Sequence, residues 1–466
     1  MISYKTPQSP ARRALAALWL GAAFAALACS STEIVDVETP DIVDPTDVAS
    51  AAGANAVRLG ALARLNFATS GGTPGVASPD DSYFMLGGLF ADEWNNGDSF
   101  IARQEIDRRS ITTDNLFALT ANRILHRTRV GAEDAIRLLT QYSPGAPAWQ
   151  LGEMNFVQAY TLNLLAEHYC DGLVLSTVED GREVYGNPVT TAEVFERALA
   201  QTAEGLARIS GTTANDVRVL NALRITRGRV LLNLNRIADA AAAVTQVPTT
   251  YQYVMQHATN TQTNQIWSYN NIGRRYSVSD REGINGLNFA TANDPRLPVC
   301  TGGDAICRAM GVTQSVRDDL TQPIYVQRLW PTNTSPVAIL LGVEARLMEA
   351  EAALRGGNDA LFLDRLNVAR TTVTGLAPLV DPGSEAARVD LLFRERAFWL
   401  FSRGTRTGDL RRLIRQYGRP AETVFPTGAW HKAGASYGND VNFPVPQQEA
   451  NNPNVPDPAT CMNRNP

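Results

Sequence analysis

Two segments of the chain combine aromatic rings with amide and charged side chains at close spacing. The first, WNNGD, starts at residue 94, and the second, WSYNNIGRRY, covers residues 267–276. Sugars need this mixture, because aromatic faces stack on CH-rich rings while amides, carboxylates and guanidinium groups bind hydroxyls. The alternative is that the rings only fill space beneath loops. We predict ligand contacts from the following residues: Trp94, Asn95, Asn96, Asp98, Trp267, Tyr269, Asn270, Arg274 and Tyr276.

Catalytic motifs are scarce in the sequence. It contains no HExxH, P-loop or dinucleotide fingerprint. Acid pairs such as Asp92–Glu93 and Asp318–Asp319 are common by chance, and solvated surface acids explain them more simply than a glycosidase pair. We therefore expect a binding protein rather than an enzyme, with no catalytic residue, metal or cofactor. An exported glycoside hydrolase is the rival from another class.

The charge balance argues against one class of partner. The chain has 42 basic and 47 acidic residues, a net charge of −5. Its first 28 residues hold three basic side chains and no acid, which leaves 39 basic against 47 acidic residues in the remainder. Nucleic acid requires a basic face to neutralise phosphates, so we expect no nucleic-acid partner.

The N-terminus has the layout of a secretory signal. A basic start precedes fifteen apolar or small residues, Ala14 to Ala28, which are too few to span a bilayer well. Cys29 follows at once and resembles the lipidated cysteine of bacterial lipoproteins, although Ala26 replaces the usual leucine. We expect a signal peptide over 1–28, lipidation at Cys29, an acidic tether over 29–46 and an outer-membrane location facing the cell exterior. An ordinary signal cut near Ala28 is the alternative.

Four further cysteines follow, at positions 170, 300, 307 and 461. An exported chain meets an oxidising compartment, and four cysteines allow three pairings. Cys300 and Cys307 enclose a glycine-containing loop, which favours a disulfide between them and leaves Cys170 for Cys461. A metal site is the weaker interpretation, because the spacing differs from that of zinc knuckles.

The elements that must position the aromatic segments are mainly helical. Thr190 and Glu193 have capping-box spacing, Asp114 precedes an apolar-periodic run, and two helix pairs turn near Asn235 and at Gly356–Asn358. Small residues at contact positions predict tetratricopeptide-like helical hairpins, with a plain helical bundle as the alternative.

Three stretches interrupt the helical pattern, at about 68–110, 248–335 and 420–466. Loops of this length in a compact protein are usually functional or disordered. Their aromatic and amide content argues against disorder. We predict one domain over 47–466, in which a helical scaffold packs against a loop-rich ligand-binding region.

The stretch ERAFWLFSRGTRTGDLRRL, from Glu395 to Leu413, resembles a signature of the SusD/RagB family of outer-membrane nutrient-binding lipoproteins. The family carries a Glu-Arg pair, then Leu, Gly, Arg and Asp-Leu-Arg. Trp399 and Arg403 depart from it, since glutamates usually stand there. The matching segments, in family order, are Asp294–Arg296, Ala350–Ala352, Leu366–Arg370, Glu395–Arg396, Leu400, Gly404, Arg406, Asp409–Arg411 and Pro444–Asn454.

The resemblance implies a SusD-like α–α superhelix. It also implies a surface lipoprotein that captures oligosaccharides, or peptides in the RagB branch, and delivers them to a SusC-like TonB-dependent transporter. A tetratricopeptide-type envelope scaffold is a third alternative. Ligand residues of the family lie in variable loops, so the contacts predicted above depend on loop chemistry alone. The Glu395–Leu413 stretch is interpreted as a joint between helices, with Asp409 capping the second helix and pairing with Arg396 or Arg406.

Overall fold

A computed structural model describes residues 48–73, 81–179, 182–432, 434–456 and 458–465. The predicted signal peptide, Cys29 and the acidic tether lie outside these residues. Residues from Val48 onward form one compact unit. The described part of the chain is mainly α-helical, as predicted. Its α-helices are α1 (Ala51–Thr69), α2 (Tyr83–Phe90), α3 (Ile101–Asp107), α4 (Leu116–Tyr142), α5 (Ala148–His168), α6 (Thr191–Arg208), α7 (Ala214–Asn233), α8 (Ile237–Val244), α9 (Ala305–Ala309), α10 (Val343–Arg355), α11 (Asp359–Arg370), α12 (Glu385–Trp399) and α13 (Arg406–Tyr417).

Local sequence signals account for most helix ends. The predicted capping box at Thr190 and Glu193 begins α6. The turn between α7 and α8 contains Asn235, whose φ of 59° suits asparagine better than most residues. The cap of α4 was predicted one residue early, because Asn115 rather than Asp114 accepts a hydrogen bond from Ala118 N, at 3.1 Å.

Helix pairs form the scaffold. α1 packs on α4, α4 on α5, and α5 on α6 and α7. α7–α8 and α10–α11 are helix–turn–helix hairpins, and α10 packs against α8 and α12. These contacts confirm the tetratricopeptide-like hairpins. None of the described helices combines the length and apolar character that a membrane span needs.

The described strands are short and pair in antiparallel ribbons rather than in a large sheet. A π-helical turn over Trp267–Ile272 precedes one of them. The pairs are β1 (Gly71–Gly72) with β8 (Thr263–Asn264), β2 (Trp94–Asn96) with β9 (Tyr276–Val278), β3 (Leu173–Val174) with β6 (Pro188–Val189), β4 (Thr177–Glu179) with β5 (Arg182–Val184), β7 (Gln252–Met255) with β12 (Val337–Leu341), and β10 (Val299–Thr301) with β11 (Tyr325–Gln327).

The interval 68–110 is less irregular than predicted, because it contains α2 and α3. All eight residues of α2 are buried. A helix that is apolar on every face belongs in a protein core. The two glycines of α2 suggested a loop because glycine is a poor helix former. A side chain at Gly87 would collide with His168, so the glycine lets α2 lie against α5.

The cysteines form two disulfides. Cys300 is bonded to Cys307 and Cys170 to Cys461. The first closes a short loop at β10 and α9, and the second ties the C-terminal segment to the end of α5. The sulfur atoms of Cys300 and Cys307 are therefore unavailable as thiolate metal ligands.

The Glu395–Leu413 stretch is a buried joint between α12 and α13. Arg396 Nε donates to Asp409 Oδ2 at 2.8 Å, and Arg406 binds both oxygens of Asp92 at 2.6 and 2.9 Å. Asp409 does not cap α13 as predicted. The N-cap position is Thr405, and Asp409 lies one turn inside the helix, where it is an ion-pair partner.

Candidate functional site

Strand pairing joins the two aromatic segments, although helices α4 to α8 lie between them in sequence. In the β2–β9 ribbon Trp94 lies opposite Val278 and Asn96 opposite Tyr276. Gly97 N also donates to Arg275 O at 2.7 Å. Both predicted segments therefore belong to one loop cluster.

Trp94 does not present a stacking face, contrary to the prediction. Its ring is completely buried against Tyr276 and Phe401, at centroid distances of 6.4 and 5.0 Å. Its Nε1 donates to Ser402 Oγ at 3.0 Å, in the joint between α12 and α13. The physical reason is that β2 lies between α2 and this joint, so all three of its residues are buried.

The amide side chains of the predicted set are also structural. Asn95 donates to the buried carboxylate of Glu282. Asn270 Nδ2 donates to two backbone carbonyls, and its Oδ1 accepts from Gln327 N at 2.9 Å. Asn96 accepts from Lys432 Nζ at 2.5 Å. These amides are buried and donate to or accept from groups of the loops, so they offer almost no accessible surface to a ligand, contrary to their predicted role.

Asp98 and Tyr276 belong to a buried charge network centred on Arg103. Arg103 binds both oxygens of Asp81, at 2.5 and 2.8 Å, and also contacts Asp98. Tyr276 donates its hydroxyl to Asp81. Burial first, and Asp81 second, raise the pKa of Tyr276 above its ordinary value, so the hydroxyl stays protonated. The role of this network is to hold the base of the loop cluster in place, not to bind a ligand.

The remaining three predicted residues differ in exposure. Trp267 is half-buried at the start of the π-helical turn, and its indole Nε1 has no acceptor among the described residues. Arg274 is half-buried and donates to Val316 O and Arg317 O at 2.9 and 3.1 Å. Tyr269 is mostly buried and stacks on Tyr276 with an interplanar angle of 6°. Of the predicted set, Trp267 and Arg274 keep accessible surface for a ligand.

Phe100 is more exposed than the aromatic residues of the predicted set, and sequence reasoning missed it. Its side chain is 51% exposed, and Ile101 and Ile272 beside these loops are also exposed. Arg275 lies over the Phe100 ring at 5.5 Å and over Tyr269 at 5.7 Å. We call Phe100, Ile101, Ile272 and Arg275 the Phe100 surface.

The guanidinium of Arg275 has unused hydrogen-bonding capacity. It is half-buried, and among the described residues its partners are aromatic rings rather than carboxylates or carbonyls. Arginine has five N–H donors. A charged donor group beside an exposed ring can therefore bind a ligand that has both an apolar face and acceptors.

Lys432, one of two lysines in the whole chain, joins its own loop to two other loops. Its Nζ contacts Asn96 Oδ1, Asp98 O and Asp319 Oδ2, the last at 2.6 Å. Burial alone would raise the pKa of Asp319, but hydrogen bonds from Lys432 and Thr321 outweigh it and hold that pKa below its ordinary value. The isolated lysine was a sequence signal that could have marked this junction.

A second buried network contains two carboxylic acids. A hydrolase would need such a pair in an open cleft. Asp107 and Glu282 lie close to His431. Arg317 donates to His431 Nδ1 at 3.0 Å, which leaves the Nε2 proton to donate to Asp107 Oδ2 at 2.7 Å. Burial raises the pKa of Glu282, which accepts from Tyr437. Together these contacts form a hydrogen-bond network that supports the loops.

No protein-family model and no curated protein sequence matches the chain. Solved structures do match. A SusD superfamily protein from Parabacteroides distasonis aligns over 87% of this chain and 98% of its own, with a TM-score of 0.65 and 13% identity. A SusD-like carbohydrate-binding protein from Bacteroides fragilis covers 87% and 99%, with a TM-score of 0.60 and 12% identity. A SusD superfamily protein from Bacteroides vulgatus covers 86% and 97%, with a TM-score of 0.58 and 16% identity.

These similarities define the class of fold. The helical hairpins, the buried joint at Glu395–Leu413 and the loop cluster together form a SusD-like fold. The resemblance that the sequence shows to the SusD/RagB family is confirmed at the level of the fold.

Proposed function

We propose that the protein is a glycan-binding protein of the cell surface, with its ligand site on the Phe100 surface. The observation that carries this proposal is the pair formed by the exposed ring of Phe100 and the guanidinium of Arg275. Solved structures with this fold include proteins described as SusD-like carbohydrate-binding proteins.

The chemistry of the surface suits a sugar. A pyranose has a CH-rich face that packs on an aromatic ring, and its hydroxyl oxygens accept hydrogen bonds from a guanidinium group. Trp267 and Arg274 are proposed further contacts at the edge of the site. Lys432 and the Arg103 network keep the loops in place, so little loop ordering has to accompany binding.

The proposal includes the delivery of ligand. With the predicted lipid anchor at Cys29, the protein would sit on the outer membrane and pass the glycan to a SusC-like TonB-dependent transporter. A protein that hands its ligand on needs modest affinity, and Kd values of about µM to mM correspond to roughly −8 to −4 kcal/mol. The proposal assigns the protein no catalytic step.

The test is a binding screen with the folded, tag-free protein. Glycan and peptide panels identify a ligand, and calorimetry then compares the wild type with Phe100→Ala and Arg275→Gln. Loss of the stacking ring is expected to cost about 1–2 kcal/mol, roughly 5- to 30-fold in Kd. Loss of the charged donor is expected to cost about tenfold or more.

Val380→Ala is the matched control, because it removes an exposed apolar side chain from a different loop. It should leave Kd unchanged. Unchanged affinity in both Phe100→Ala and Arg275→Gln would overturn the site. Binding of peptides but of no glycan would show that the protein is the peptide-binding alternative. Turnover of a bound oligosaccharide would show that it is a hydrolase.

A further inference from the structure

Two arginines from different helices converge on one tryptophan of the helical scaffold. Arg58 lies in α1, Trp149 near the start of α5 and Arg218 near the start of α7. The guanidinium carbon atoms of Arg58 and Arg218 lie 5.4 and 5.8 Å from the centre of the Trp149 ring. We call these three residues the Trp149 cluster. None of them belongs to the Phe100 surface.

The charges around the Trp149 cluster do not balance. Arg58 Nη1 lies 2.7 Å from Glu153 Oε2, and Arg218 Nη2 lies 2.7 Å from Glu153 Oε1. No other ion pair among the described residues includes either arginine. One carboxylate therefore serves two guanidinium groups, which leaves one positive charge in excess.

Glu153 itself is out of reach of a ligand. The residue is only 2% exposed, and the hydroxyl of Tyr253 also donates to its Oε1, at 2.9 Å. Burial first, and Glu153 second, raise the pKa of Tyr253, so this hydroxyl stays protonated. The side chain of Arg218, by contrast, is 34% exposed. The charged group that a ligand can reach is therefore a cation.

The unused hydrogen-bonding groups of the Trp149 cluster are donors. Arg58 donates through Nε to Asn55 Oδ1 at 3.1 Å and through Nη1 to Glu153, but its Nη2 has no acceptor among the described residues. Arg218 Nη1 and Trp149 Nε1 also have none there, and all three atoms keep contact with solvent. A carboxylate suits such a set, because it only accepts hydrogen bonds.

The start of α5 adds to the positive potential. The helix begins at Ala148 without a side-chain cap, and its first turn contains no acidic residue. The N-terminal end of a helix carries a partial positive charge, which favours anions nearby. Trp149 is the second residue of this helix, so the dipole and the two arginines act on the same place.

We propose that the Trp149 cluster binds the carboxylate of an acidic sugar residue. The carboxylate accepts hydrogen bonds from Arg218 and from Arg58 Nη2, and Trp149 Nε1 donates to a neighbouring hydroxyl oxygen. The assignment of the carboxylate to a saccharide rests on the glycan binding proposed above. The excess charge and the unused donors are independent of that proposal.

The test is calorimetry of the full folded protein at low ionic strength with tetragalacturonate, its methyl ester and tetraglutamate, each up to about 10 mM. Tetragalacturonate should bind at least about tenfold more tightly than the ester, which has the same sugar rings without charge. Tetraglutamate has the same number of side-chain carboxylates without sugar hydroxyls and should bind more weakly than tetragalacturonate. Arg218→Gln should weaken tetragalacturonate binding by about tenfold or more.

Arg224→Gln is the matched control, because it removes the same charge from the same helix. Arg224 is half-buried, and its guanidinium group donates to the neutral side chains of Asn221 and Gln246. The control should leave the Kd of tetragalacturonate unchanged. Equal weakening by Arg218→Gln and Arg224→Gln would show a general effect of net charge and overturn the site.

Other results would also overturn the assignment. They are no binding of tetragalacturonate, equal binding of its ester, and unchanged binding by Arg218→Gln. Tetraglutamate binding more tightly than tetragalacturonate would replace the sugar by an acidic peptide. An affinity for tetragalacturonate lost in Phe100→Ala but kept in Arg218→Gln would place the acid on the Phe100 surface. Failure of the proposed glycan site appears separately, as unchanged binding of the panel ligand by Phe100→Ala and Arg275→Gln.

Discussion

At the scale of single residues, Glu93 is a carboxyl group without access to water. Its Oε1 accepts from Ser402 N at 2.9 Å, and its Oε2 has no donor among the described residues. Burial raises its pKa from 4.5 to about 8, although the hydrogen bond from Ser402 N opposes the change. Near neutral pH the folded protein therefore keeps a proton that the unfolded chain releases.

This proton predicts how stability depends on pH. Below pH 4.5 both states are protonated, so the folded state has its full advantage there. As pH rises from 4.5 towards about 8, only the unfolded chain loses the proton, and stability falls. The slope from one such group approaches about 1.4 kcal/mol per pH unit. Glu93→Gln should flatten this part of the profile in urea titrations between pH 5 and pH 8.

Glu196→Gln is the control for this measurement, since it changes a carboxyl group on the exposed face of α6. It should leave the slope as in the wild type. A Glu93→Gln profile as steep as that of the wild type would contradict a protonated Glu93. Glu167, whose pKa is also raised by burial, accounts for a share of the remaining slope.

Residue types alone did not show which aromatic side chains of these segments are buried. Trp94 and Phe100 are six positions apart in one segment, and both carry large apolar rings. The two rings differ in burial. Trp94 lies in β2, which packs against the joint, whereas Phe100 comes after β2 and is exposed to solvent. Which ring is covered depends on contacts with Ser402 and Phe401, about 300 residues later in the chain, which no local pattern contains.

At the scale of elements, the joint between α12 and α13 should act through stability. Asp409 accepts from Arg396 at 2.8 Å and lies 3.3 Å from Arg412, and all three residues are buried. Removing one partner of a buried pair leaves an uncompensated charge, at a cost of about 3–5 kcal/mol. Asp409→Ala should therefore lower Tm clearly while the Kd of the glycan, measured below Tm, stays the same.

Asp390→Ala is the matched control, because Asp390 pairs with Arg419 at the surface. An exposed pair contributes about 0–1 kcal/mol, so Tm should change little. Unchanged melting of Asp409→Ala together with lost glycan binding would reverse the structural interpretation of the joint.

Helix ends could be predicted from the sequence where the residues that cap the helix or form the turn are neighbours in the chain. The capping box at Thr190 and Glu193 and the turn at Gly356–Asn358 are of this kind. Asp409 failed as a predicted cap because its partner Arg396 belongs to the preceding helix. The all-apolar helix α2 was missed because periodicity cannot identify a helix that is buried on every side.

At the scale of the whole molecule, a helical scaffold holds loops from distant parts of the chain in one cluster. Lys432 joins segments around Asn96 and Asp319, and the β2–β9 ribbon joins two more. The family resemblance at Glu395–Leu413 predicted this architecture, which the solved SusD-like structures share. It could not predict the proposed site, because those contacts lie in loops outside the segments that carry the resemblance.

A crystal structure of the complex with the glycan selected from the panel would locate the binding site. A sugar ring is expected to stack on the exposed face of Phe100, with Arg275 donating to a hydroxyl or ring oxygen and Trp94 still buried. A glycan bound on the helical hairpins, with the Phe100 surface bare, would contradict this expectation.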